Sequence, residues 1–146
     1  MRKAKLWYVI ADGGRARFVE RDDGGAFRTV ASMVSTELHA RSSGLGRDRP
    51  ARVKESATRA RSSIEPRRGL KQQAKDDFIE VVADELDVER GRGKYDELML
   101  VAPPGVLTEL KQKLSKPVAE IVVSDLQKDL TKVPDHDLTG HLEPRR

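Results

Sequence analysis

The chain has 146 residues, 36% charged and 37% hydrophobic, with a net charge of +4, which suits one domain over 1–146 with one modest core. Cysteine is absent, so a disulfide framework and a thiolate metal site are both excluded. The basic start Met1-Arg2-Lys3-Ala4-Lys5 is followed by an apolar run, Leu6–Ala11, too short for a signal peptide, and no run reaches membrane-spanning length; a soluble, cytoplasmic bacterial protein is expected.

The first predicted strand, Leu6-Trp7-Tyr8-Val9-Ile10-Ala11, is apolar throughout, as a central strand covered on both faces would be. Asp12-Gly13-Gly14 separates it from a second strand, Arg15–Arg21, which alternates and so offers one wetter face. Asp23-Gly24-Gly25 then leads to a third, less regular strand, Phe27–Val34. Glycine tolerates positive φ, so Asp-Gly between β-rich runs signals hairpins, and the first 35 residues read as an antiparallel meander.

From Leu38 to Gly69 the pattern collapses. Leu38, Leu45, Val53 and Ile64 are its only sizeable hydrophobes, and they cannot offset an ordering entropy of about 1–2 kcal/mol per residue. A long, disordered basic loop is expected at 38–69. It carries nine Lys and Arg against three acids, an excess of +6, which leaves −2 for the rest of a chain whose net charge is +4. The positive charge therefore belongs to this segment.

Periodic sequence returns at Leu70. Leu70, Ala74, Phe78, Val81, Val82 and Leu86 recur at helical spacing, and Gly91 and Gly93 stop the helix near Arg90. Glu97–Ala102 reads as a buried strand that ends at Pro103-Pro104-Gly105. A helix follows, with Val106, Leu107, Leu110 and Leu114 on its apolar face and Pro117 closing it. Val118–Val123 reads as a fifth strand, and Ser124 or Asp125 as the cap of a short helix through Leu130. Pro134 opens a last turn carrying Leu138 and Leu142. The order β-β-β-α-β-α-β-α makes strands four and five parallel neighbours. It fits an α/β, five-stranded mixed sheet of strand order 3-2-1-4-5, the ribonuclease H-like layout. Trp7, Ile10, Phe78, Leu98, Leu100 and Val122 are the expected core.

The segment Tyr95-Asp96-Glu97-Leu98-Met99-Leu100-Val101-Ala102-Pro103-Pro104-Gly105-Val106-Leu107, with Leu110-Lys111, resembles the bacterial host attachment protein family ("protein required for attachment to host cells"). Trp7-Tyr8-Val9-Ile10-Ala11-Asp12-Gly13-Gly14-Arg15-Ala16-Arg17 resembles that family's opening strand and turn. Asp129-Leu130-Thr131 followed by Pro134 is similar to its C-terminal signature. The resemblance covers nearly the whole chain and is weakest in the loop. That family is distantly similar to the middle domain of archaeal and eukaryotic class-1 peptide release factors, in which a basic loop after the meander carries Gly-Gly-Gln. Here the matching loop contains Gly44-Leu45-Gly46, while Gln72 and Gln73 lie in the following helix. Ester hydrolysis therefore does not carry over; contact with RNA or the ribosome does, as an expectation.

For chemistry, Asp12 at the end of strand one and Asp125 after strand five are the two acids placed to hold metal, as ribonuclease H-like nucleases do. The simpler alternative makes Asp12 a turn residue and Asp125 a helix cap. His136 and His141 are five apart, a poor spacing for two ligands on one helix face, and His39 stands alone. No nucleophilic constellation assembles, so the reading leans away from an enzyme and expects no cofactor. The better candidates are basic. Arg41, Arg47, Arg49, Arg52, Lys54, Arg59, Arg61, Arg67 and Arg68 could contact phosphates, since arginine's planar fork matches phosphate oxygens. No aromatic interleaves them, so binding would be shape-led and salt-sensitive. Three readings compete: a non-enzymatic monomer that contacts RNA or the ribosome through the loop; a metal-dependent nuclease; and a protein-interaction module whose loop orders on an acidic partner. None involves a membrane.

Overall fold

A computed structural model describes residues 4–36 and 67–142. The elements in chain order are β1 (Leu6–Ala11), β2 (Arg15–Arg21), β3 (Phe27–Val34), α1 (Arg67–Gly91), β4 (Glu97–Val101), α2 (Pro104–Lys113), α3 (Lys116–Ala119), β5 (Val122–Leu126), a 3-10 turn (Asp135–Asp137) and α4 (Thr139–Leu142). The strands form one five-stranded sheet in the order β3-β2-β1-β4-β5. The meander is antiparallel, and β4 runs parallel to both β1 and β5. This is the α/β mixed sheet that the sequence predicts.

Because β1 is central, both its faces are covered, and they meet different partners. Trp7, Val9 and Ala11 pack with Phe18, Leu98 and Leu100 against Phe78, Val82 and Leu86 of α1 and Leu107 and Leu110 of α2. On the other face Tyr8 and Ile10 pack with Val19, Phe27 and Val101 under Leu130, Leu138 and Leu142 of the C-terminal stretch. The single core expected from composition is thus two layers, one on each side of the sheet.

The irregularity of β3 has a structural cause. Val19 pairs with Thr29 and Phe18 with Ala31, so Val30 is an inserted residue. One extra residue reverses which face the following side chains occupy. Phe27 accordingly joins the layer under Leu138, while Ala31 and Met33 pack on the α1 side.

Several boundaries differ from expectation. Helix α1 begins at Arg67, before Leu70. Its buried face uses Ile79 and Ala83, and Val81 is exposed. Val118 belongs to α3, where Ser115 Oγ accepts the Val118 N–H and Pro117 sits in the first turn. Proline at that position forfeits no helical hydrogen bond, so it opens this turn where the sequence reading had it close the preceding helix. The fifth strand is therefore Val122–Leu126, Asp125 lies inside it, and no helix runs from there to Leu130. Val122, on that edge strand, is only partly buried.

The two Asp-Gly-Gly turns also work differently. Gly25 has φ +92°, but neither Gly13 nor Gly14 takes a positive φ. A Cβ on Gly13 would lie 3.1 Å from the stem of Lys75. Close approach of α1, rather than backbone conformation, accounts for a glycine there.

Candidate functional site

In open α/β sheets ligands gather outside the carboxyl ends of the parallel strands. Here that edge is formed by Asp12 after β1, Ala102-Pro103 after β4 and the chain leaving β5. Asp12 organises it. Its Oδ1 accepts the N–H groups of Gly14 and Arg15, both at 2.8 Å, and its Oδ2 accepts the Thr131 hydroxyl at 3.1 Å. Thr131 Oγ1 is also 2.7 Å from Asp129 Oδ1, so two carboxylates converge on one hydroxyl proton. Arg15 is exposed beside them. Together with Arg17, Ser32 and Val34, Arg15 and Thr131 line a cavity of about 260 Å³.

In sequence the Arg-rich stretch lies between β3 and α1. β3 ends at this same edge, because Ser35 donates its N–H to Gly14 O at 2.8 Å. Lys75 of α1 lies across Gly13, so the turns of α1 before Lys75 reach beyond the sheet by roughly 10 Å, at about 1.5 Å per residue.

Arg17 holds the layer that covers the second face. Its guanidinium donates to Asp135 Oδ1 at 3.1 Å, to Leu130 O at 3.0 Å and to Val133 O. Asp135 in turn accepts the Thr29 N–H at 2.9 Å and the Thr29 hydroxyl at 2.6 Å. Burial would push the Asp135 carboxyl up, but the Thr29 hydrogen bonds and the Arg17 charge outweigh it and hold the group below its usual range. Burial lowers the pKa of Arg17, and Asp135 opposes this. A second carboxyl pair sits between α1 and α2. There burial, then the hydrogen bond and charge of Asp76, push Glu109 up, while that bond draws Asp76 down.

Of the basic candidates, Arg41, Arg47, Arg49, Arg52, Lys54, Arg59 and Arg61 lie outside the described residues, as does the expected disorder of the loop and His39. Arg67 and Arg68 start α1, and their side chains are likewise undescribed. Asp12 follows β1 while Asp125 lies in β5, with β4 between those strands, and Asp125 is level with Leu100 and hence with Val9. Two strand spacings and three residues along β1 put the Asp12 and Asp125 backbones about 14 Å apart. Asp125 is bound instead to Lys111, 2.6 Å away. Among the described residues no group of three or more His, Asp or Glu could hold a metal ion. His136 lies 3.7 Å from Asp137. Sequence reasoning gave no role to Arg17, Thr29 or Asp135, whose partners lie more than a hundred residues away. The one available signal was the Asp129-Leu130-Thr131 signature.

A family model described as "Protein required for attachment to host cells" matches residues 7–142. No curated protein matches the chain. Among solved structures 13 chains match. One is the crystal structure of the archaeal translation termination factor aRF1, with a TM-score of 0.52 and 11% sequence identity. The similarity covers 94% of this chain and 34% of that factor, so this chain spans about a third of its length, and the two share a fold. The likeness to release factors expected from the sequence is present at that level. No described helix is long and apolar enough to cross a membrane. By its match over residues 7–142, the chain belongs to the family of proteins required for attachment to host cells.

Proposed function

We propose that this protein is a non-enzymatic, cytoplasmic RNA-binding domain, and that its Arg-rich segment Leu38–Gly69 contacts RNA, including that of the ribosome. The observation that carries this reading is charge placement. An excess of +6 is concentrated in one stretch, leaving −2 for the rest of the chain. That stretch begins in sequence just after β3, which ends at the carboxyl edge of the sheet, and runs into the first turn of α1. Each phosphate neutralised by such a segment would release condensed counterions, which favours association with a polyanion at low salt. The fold adds support, because a translation termination factor is built on it. Hydrolytic chemistry is not part of the proposal, since the segment holds no Gly-Gly-Gln.

The test is fluorescence anisotropy with a labelled single-stranded RNA and a structured RNA across a salt series. Binding should be weak, indifferent to sequence and steeply weakened by salt. Replacing Arg47, Arg49, Arg52, Arg59 and Arg61 together with Ser should abolish it while leaving the circular dichroism spectrum unchanged. Unchanged affinity in that variant, or no affinity in the parent at low salt, would overturn the proposal. The second result, combined with capture of an acidic protein, would favour the protein-interaction reading.

A further inference from the structure

A second cationic feature lies on the folded body, apart from the Arg-rich segment. Arg15 and Arg17 are two apart on β2, so their side chains leave the same face of the sheet about 7 Å from each other. Arg15 pairs with Val34 and Arg17 with Ser32, and directly paired residues share a face. The residue inserted at Val30 is what turns Ser32 and Val34 to that face. Together with Thr131 of the C-terminal stretch, these four residues line the cavity of about 260 Å³ at the carboxyl edge of the sheet. No described acid lines it.

The two arginines differ in what they already hold. Arg17 commits its guanidinium to Asp135, Leu130 O and Val133 O, and its Nε is buried with no acceptor. It supplies a fixed positive wall. Arg15 is exposed, its main-chain N–H goes to Asp12, and no described group accepts from its guanidinium. All five of its side-chain N–H donors are therefore open to a ligand. The Ser32 hydroxyl, also exposed, has no described partner either. The nearby acids are engaged elsewhere. Asp12 accepts from Gly14, Arg15 and Thr131. Asp129 accepts the N–H and hydroxyl of Thr131, and Asp135 accepts from Arg17 and Thr29. The Thr131 hydroxyl is thus committed to carboxylates and only bounds the cavity. An anion would meet free donors from Arg15 and Ser32 and the charge of Arg17, while a neutral ligand would leave two like charges unrelieved on one face. The planar fork of Arg15 matches two oxygens of a tetrahedral oxyanion. The cavity is larger than such a group alone, so the group can be carried on a larger molecule.

We propose that Arg15, Arg17 and Ser32 form an oxyanion site on the folded body that takes the phosphate group of a nucleotide. Phosphate is the chemistry the cavity selects; that a nucleotide carries it rests on the RNA reading above. The test is a titration of the full, isotope-labelled chain with 5′-AMP, adenosine and inorganic phosphate, followed by nuclear magnetic resonance. AMP and phosphate should shift the Arg15, Arg17, Ser32 and Thr131 amides saturably in the millimolar range, with AMP the tighter, and adenosine should not. Arg15→Gln should weaken AMP at least fivefold and Ser32→Ala at least twofold, with melting temperatures like the parent's. Lys94→Gln, an exposed cation before β4 at the other end of the sheet, should bind like the parent. The chain with Ser at positions 47, 49, 52, 59 and 61 should keep AMP binding even as it loses RNA. AMP binding in a parent that fails to bind RNA would support this site and overturn only the earlier reading. Equal AMP affinity in Arg15→Gln, equal shifts with adenosine, or loss of AMP binding in the chain without the five arginines would overturn the proposal. So would binding of phosphate without AMP, which would assign the cavity to a free anion.

Discussion

Arg17→Ala should detach the C-terminal layer from the sheet. Three hydrogen bonds from one charged donor are lost, to Asp135 at 3.1 Å, to Leu130 O at 3.0 Å and to Val133 O. Hydrogen bonds to charged groups are worth about 1.5–3 kcal/mol each, and leaving acceptors unpaired in a partly buried site adds to the loss. Two effects reduce the sum. The guanidinium, only 14% exposed, no longer has to be desolvated, and Asp135 keeps both bonds from Thr29. A net loss of roughly 2–4 kcal/mol follows, near the lower end of what breaking a buried pair costs. In a domain this size that lowers the melting temperature by about 2–4 °C per kcal/mol. Urea denaturation gives the magnitude, and hydrogen exchange gives the place. The Leu138 and Leu142 amides, which bond Asp135 O and Leu138 O, should lose protection before those of β1 and β4. Arg17→Lys should recover less than half of the loss, because one ammonium cannot span three acceptors. A loss below about 1 kcal/mol, or unchanged protection at Leu138 and Leu142, would refute the reasoning, since an exposed pair is worth no more than that.

Phe78→Ala should cost about 3–5 kcal/mol, the range for removing a buried aromatic side chain, because Phe78 is 5% exposed and packs in the α1 layer; a urea midpoint shift equivalent to less than roughly 1 kcal/mol would mean that the layer repacks freely. Asp135 titrates below its usual range when folded, so its contribution is present in full above its unfolded pKa of about 3.9 and is lost as pH falls through the lower folded value. The stability gap between the parent and Asp135→Asn should accordingly narrow below about pH 4, and a gap constant down to acid pH would contradict this. Tyr95→Phe removes a 2.6 Å hydrogen bond to Leu86 O from a buried site, where burial pushes the phenol up to about 12; a loss of about 1–2 kcal/mol in thermal unfolding is expected. Gly93 has φ +71° and nothing within 4 Å of an added Cβ, so Gly93→Ala should cost about 1–2 kcal/mol through backbone strain alone, with an unchanged fold by circular dichroism.

What could be read in the sequence divides by range. β1 was legible because six consecutive apolar residues leave no wet face, and the order of its neighbours followed from the connections. Helix α2 was legible because Val106, Leu107, Leu110 and Leu114 all fall on one side, and all are buried. The failures lie where two local patterns compete. Val118–Val123 satisfies a strand template, but Ser115-Lys116-Pro117 is also a helix start, and the cap on Val118 N–H wins. On α1 the sequence offers Val81 and Val82 side by side, and periodicity alone cannot choose; packing takes Val82 and leaves Val81 exposed. In β3 odd-numbered positions look alike from Phe27 to Met33, yet the residue inserted at Val30 sends them to opposite faces.

The same bulge links the fold to its candidate surfaces. Before Val30, the outward face of β3 is closed by Asp135, and the carboxylate that closes it also anchors Arg17. After Val30, Met33 packs on the α1 side, and no described strand pairs with the outer main chain of Ser32 and Val34. One inserted residue therefore separates a sealed half-edge from an open one. The open half lies at the carboxyl end of the sheet, where Asp12 fixes the β1–β2 turn and the Arg-rich stretch departs.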